Sequence, residues 1–168
     1  MAFPGGNIVR VTPTVVETSG DAVADDLLFD TTEIPGAVSN RGGTSLLVAV
    51  GIIDYDKENH DMDIVFMRNN VSMGTIDAGP SWTDANIVSA ELIGGIDVDW
   101  DVAKVNVAAA EMAFFSGTNR NANTQQLPMM LQAKAGSRSV YFGGIARDTI
   151  DYAASTNLEF IFHIQYLD

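Results

Sequence analysis

The sequence contains no cysteine, which excludes disulfides, Cys-ligated zinc or iron–sulfur clusters, and thiol catalysis. It has two histidines, His60 and His163, too few for a convincing His-based zinc site. Basic residues are scarce: nine Lys and Arg stand against 22 Asp and Glu, for a formal charge of -13. Such a chain repels phosphate backbones and has no basic stripe, so direct binding of DNA or RNA is not expected. The charge favours solubility and resists self-aggregation, with both effects screened beyond ~8 Å at physiological salt. The longest apolar run, LLVAVGII, falls well short of the roughly 18 residues that suggest a membrane span. The opening residues MAFPGGNIVRV lack a basic region followed by a continuous apolar core, so no signal peptide is expected. Synthesis in the cytoplasm as a soluble protein, without a membrane partner, is the expectation.

What is present reads as β structure. Hydrophobic content of 46% with 15 glycines supports a folded core. A length of 168 residues suits one domain, able to bury roughly 70% of its unfolded surface. The clearest strand is LEFIFHIQYL near the C-terminus. There Leu158, Phe160, Phe162, Ile164 and Tyr166 share one side of a period-2 ribbon, and Glu159, Ile161, His163 and Gln165 share the other. SVYFGGIAR, from Ser139, forms its companion. Leu46 to Ile53 reads as a central strand buried on both faces. Further strands are expected at Ile8–Val16, where Pro13 implies an edge or bend, and at Ile64–Arg68, Pro128–Ala135 and most of Asp97–Phe115. Residues 17–33 look acidic and turn-rich around a short Leu27–Phe29 anchor, and Ile34–Ser39 makes at best a short strand.

One helix is expected over Thr83–Ile93, capped by Thr83 or Ser81 and stopped by Gly94-Gly95. No βαβ rhythm and no repeat emerge. About eight strands with one short helix predict a mainly all-β fold, an antiparallel β-sandwich, with the jelly roll as one topology open to it. Residues 1–7 read as an N-terminal arm and residues 8–168 as a single sandwich domain.

The chemistry-bearing groups favour plain structural roles. Asp54, Asp56, Glu58, Asp61 and Asp63 form an acidic run that could offer oxygens to calcium. The spacing fails the EF-hand pattern, with Asn59 where glycine is required and Val65 where the bidentate glutamate should be. A solvated loop is expected. Asp97, Asp99 and Asp101 alternate along a strand and should face water, with Val98, Trp100 and Val102 on the other side. His60 is expected to be exposed and His163 to be a structural histidine. No G-x-S-x-G elbow or phosphate loop is present, and Gly143-Gly144 reads as a bulge or a close approach. No catalytic residue, cofactor site or metal site is assigned, and no enzymatic activity is expected. Trp82 and Trp100 are the aromatics on which a sugar could stack in a glycan-binding sandwich. The paired methionines Met129-Met130 suit core packing or an adaptable partner surface.

Two stretches together carry a likeness to a known group. One is GGTSLLVAVGIIDYDKENHDMDIVFM; the other is VYFGGIARDTIDYAASTNLEFIFHIQYLD, with the acidic TDANIVSAELIGGIDV between them. The arrangement resembles small virion structural proteins of tailed bacteriophages, common among marine phages. That resemblance implies a non-enzymatic capsid decoration, or cement, protein on the outer surface of the virion head. It implies the major capsid protein and further copies of the chain, as a homotrimer, for partners, and assembly after synthesis in the host cytoplasm. Met1, Phe3 and Arg10 are the residues expected to touch the capsid or a neighbouring subunit. A tail or head-fibre component and a glycan-binding module are the alternatives.

Overall fold

The computed structural model describes residues 5–15, 23–100, 104–116 and 127–167. These form β1 (Gly6–Val11), β2 (Leu27–Ile34), β3 (Thr44–Asp54), β4 (Met62–Met67), α1 (Asp84–Ala90), β5 (Leu92–Val98), β6 (Lys104–Asn106), β7 (Glu111–Ser116), β8 (Met129–Gln132), β9 (Val140–Ala146) and β10 (Leu158–Tyr166). The described residues hold ten strands, where about eight were expected.

All pairings between these strands are antiparallel, in two sheets. The larger has the order β1-β10-β3-β7-β6, with β8 also paired to β3; the smaller has the order β2-β9-β4-β5. The chain crosses between the sheets at each step from β1 to β4, and again from β8 to β10. This is jelly-roll connectivity, with the β6–β7 hairpin added beside β8. The sandwich is thus a jelly roll rather than a closed barrel.

The alternation of β10 explains the interior. Leu158, Phe160, Phe162 and Ile164 point between the sheets and are buried. Opposite them, Phe142 of β9 is the hub of an aromatic cluster. Its ring centroid lies 4.9 Å from Phe162, 5.1 Å from Phe160, 5.2 Å from Phe29 and 6.3 Å from Phe66. Edge-to-face contacts at such distances add to the area term. A smaller cluster of Leu27, Met67, Met73 and Ala90 lies on the other side of the smaller sheet, beneath α1 and the loop before it.

Three local expectations need correction. Leu27–Ile34 is a full strand, and the turn lies after it, at Pro35–Asn40. Register shifts flanking Phe29 let Leu27 enter the smaller cluster while Leu28 and Phe29 enter the larger one, which destroys the period-2 signature. The helix stops at Ala90, not Ile93, because Glu91 turns left-handed at φ 51° and the Ala90 carbonyl accepts the Arg68 and Asn69 N–H groups. Gly94-Gly95 therefore lies inside β5. The helix start is as expected: Thr83 Oγ accepts the Asn86 N–H and Asn86 Oδ1 accepts the Thr83 N–H, a capping box.

Gly144 marks a close approach. A Cβ there would overlap the Phe29 ring, which is fixed by Phe142 and Phe160. Gly144→Ala is expected to cost about 1–3 kcal/mol through overpacking. Gly79→Ala, at an exposed position with nothing within 4 Å, should stay within about 0.5 kcal/mol of the parent. Urea unfolding of both variants checks the contrast.

Candidate functional site: the open face of the larger sheet

The pairing register defines the outward face of the larger sheet. One row runs Ile8, His163, Ala49 and Ser116; the next runs Arg10, Ile161, Gly51 and Phe114; a third runs Glu159, Ile53, Met112 and Val105. Beyond a bulge at Val48, Gln165, Leu46 and Met130 continue the face. In a sandwich the outward positions are ordinarily polar, since only one side of each sheet meets the core. Here they are mostly apolar. Ile8 and Met130 are each 62% exposed, and Phe114 and Val105 each 51%.

The Phe114 ring lies across Gly51, where a Cβ would stand 3.1 Å from it. A side chain at position 51 would lift that ring off the sheet. Where β3 bulges, a shallow hollow of about 370 Å³ opens between Ile8, Val48 and His163. His163 therefore belongs to this outer surface and not to the core.

The only charges on these rows are Arg10 and Glu159, and they neutralise each other. Arg10 Nη2 donates to Glu159 Oε2 at 2.9 Å, and Arg10 Nε donates to Oε1. Tyr55 Oη donates to Glu159 Oε2 at 2.8 Å. The hydrogen bond from Arg10 holds the Glu159 carboxyl below its ordinary range, against the opposing effect of burial, and Tyr55 adds to the lowering. The same hydrogen bond raises Arg10, and the bond to Glu159 raises the Tyr55 phenol. Arg10, expected to touch the capsid or a neighbouring subunit, is paired with Glu159 of its own sheet and keeps its side chain 59% exposed. Met1 and Phe3 lie outside the described residues.

The acidic run spans the loop between β3 and β4, with Glu58 exposed to solvent as expected, but Asp54, Asp56 and Asp61 serve as internal acceptors. Asp54 is fully buried and accepts the Asp56, Lys57 and Asn59 N–H groups, each at 2.9 Å. Asp56 accepts the Ala153 N–H at 2.7 Å, and Asp61 accepts the Trp100 N–H at 2.9 Å. Arg147 bridges Asp63 at 3.1 Å and Asp97 at 2.6 Å, so Asp97 faces a cation on its own sheet as well as water. Asp101 lies outside the described residues. His60 is largely enclosed, with Nδ1 3.1 Å from Asp148 and its ring edge-on to Tyr152. Burial, with the surrounding carboxylates, raises the Tyr152 phenol well above its ordinary range. Among the described residues no three His, Asp or Glu side chains are placed to hold a metal ion.

The two tryptophans differ in burial. Trp100 is fully buried. Trp82 is half-buried against the smaller cluster and donates its indole N–H to the Ser72 carbonyl at 2.7 Å. No described helix is long and apolar enough to cross a membrane.

The lowered carboxyl of Glu159 gives a pH prediction. A group depressed in the folded state contributes stability above its unfolded value, about 4.3 for glutamate, and loses it as pH falls through the folded value. Glu159→Gln should therefore be less stable than the parent at neutral pH, and the deficit should close in strong acid. Because Arg10 is exposed, the deficit should also shrink with salt. Urea midpoints across the acid range check this; equal midpoints at neutral pH would refute it.

No protein-family model and no curated protein matches this sequence.

Proposed function

We propose that this chain is a non-enzymatic structural protein of a tailed-phage virion: a capsid decoration protein that docks on the outside of the head shell. The observation that carries the reading is the open face of the larger sheet. A chain of formal charge -13 keeps one broad surface apolar, with its two charges paired to each other. Extended apolar patches on a soluble domain mark surfaces meant to be covered. The depletion of charge at the centre of the face, with Phe and Met present, is the composition of an interface core.

The partner is the major capsid protein, which would present an apolar patch to this face, and basic groups at its margin would suit the acidic surroundings. β1, which follows Met1 and Phe3 in the sequence, forms the border of the same face. Jelly rolls recur in viral capsid proteins, though also in lectins and cupins, so topology supports the reading by analogy alone. A tail or head-fibre location is separated from this one by where the density sits in virion images.

Phe114→Asp tests the reading. The side chain is 51% exposed, so the fold should survive, while a charge enters the centre of the face. Binding to phage heads grown without the protein should weaken at least about tenfold, as for loss of an interface anchor. Undiminished binding by this variant, or no binding by the parent chain, would refute the docking role.

A further inference from the structure

The five strands at the sheet margins are not equally protected. An open edge presents unpaired N–H and C=O groups, and natural sheets blunt such edges with bulges, short strands or charges. At the margin of the smaller sheet, β2 carries two register shifts, and β5 carries one together with Gly94-Gly95. β6 is only three residues long, and β8, paired to β3 alone, only four. β1 has none of these devices. It runs six residues in continuous register with β10, contains no proline, and its single charge is turned onto Glu159 of the same sheet.

The direction of its backbone groups follows from one hydrogen bond. The Tyr166 N–H donates to the Gly5 carbonyl at 2.8 Å. Hydrogen-bonded and non-bonded pairs alternate in an antiparallel ladder. Asn7, Val9 and Val11 therefore bond to β10, while the backbone groups of Gly6, Ile8 and Arg10 point to the open edge. Among the described residues nothing pairs with that edge. Ile8, at its centre, is 62% exposed.

We propose that β1 pairs antiparallel with β1 of a second copy about a two-fold axis at Ile8, joining the two larger sheets into one continuous sheet. The edge is self-complementary in this register. Ile8 faces Ile8, and Arg10 faces Gly6, which has no side chain to obstruct the guanidinium and no charge to repel it. An isologous contact requires a patch to match itself in this way. No acidic residue lies within Gly6–Val11, so the repulsion between two chains of charge -13 comes from groups away from the seam and is screened by salt. The pairing also makes the two apolar faces coplanar. It does not depend on what those faces bind.

Light scattering on the full chain over a range of concentrations tests the pairing. The expected mass is twice that of the 18.0 kDa chain. Ile8→Pro removes an N–H that the single chain does not use, so it should give a monomer of near-parental thermal stability, whereas Ile8→Thr should still pair. If Ile8→Pro fails to fold, hydrogen exchange of the parent decides: the Ile8 and Arg10 amides should be slow in the concentrated protein and fast when dilute. A parent of single-chain mass at every concentration, an unaltered mass in a folded Ile8→Pro, a mass of three chains, or fast exchange at both amides in concentrated parent protein would each overturn the proposal.

Discussion

The contact between Phe142 and the facing rings of Phe160 and Phe162 is the constraint on which the rest of the sandwich depends. One ring from the centre of the smaller sheet fits between two rings from the centre of the larger one, at 5.1 and 4.9 Å. The fit requires Gly144 two residues on, because Phe29 occupies the volume that a side chain there would need. It also requires the shifts in β2, which turn Phe29 inward. Close-packed interiors transmit such demands, since a methyl group added at one point has to displace a neighbour. With the sheets locked at their centres, the bulge at Val48 and the outward rows of the larger sheet are fixed as well.

The acidic character of the chain becomes intelligible on this frame. Many of the carboxylates are acceptors for loop backbone that the sheets leave unpaired. Asp54 alone satisfies three N–H groups in a segment where Lys57 and Asn59 adopt positive φ. Asp30 does similar work for the loop over the smaller sheet, accepting the Met73 N–H and the Ser72 hydroxyl, each at 2.6 Å. Buried polar groups are tolerated when bonded in this way. The excess of acid thus serves the loops and rims, and the open face carries none of it unpaired.

Much of the architecture was legible in the residues. The alternation of β10, the apolar run of β3 and the Thr83 cap all follow from local pattern, and local pattern is what a sequence displays directly. β2 was not legible, because bulges erase the period on which strand recognition rests. The burial of Asp54 and the enclosure of His60 by Asp148 depend on groups brought from distant segments. The pairing of Arg10 with Glu159 was not legible because the two lie 149 positions apart. The open face was hidden for a different reason. In β10 both sides of the ribbon hold apolar groups, and alternation alone cannot say whether Ile161 meets a second layer or solvent.

That ambiguity bears on function. The smaller sheet has both sides covered, one by the larger sheet and much of the other by α1 and the segment that crosses Gly143 with Met73. Among the described residues the larger sheet has a single cover. Its outward side has side chains suited to burial, including a phenylalanine laid over a glycine as in a packed interior, yet the described chain leaves Ile8, Met130, Phe114 and Val105 more than half exposed. A jelly roll with one sheet doubly covered and the other covered once is complete as a fold and unfinished as a surface. Leaving Ile8 and Phe114 open costs solubility, which the surrounding carboxylates offset. On the docking role proposed above, a partner supplies the second layer that the described residues leave open on this side.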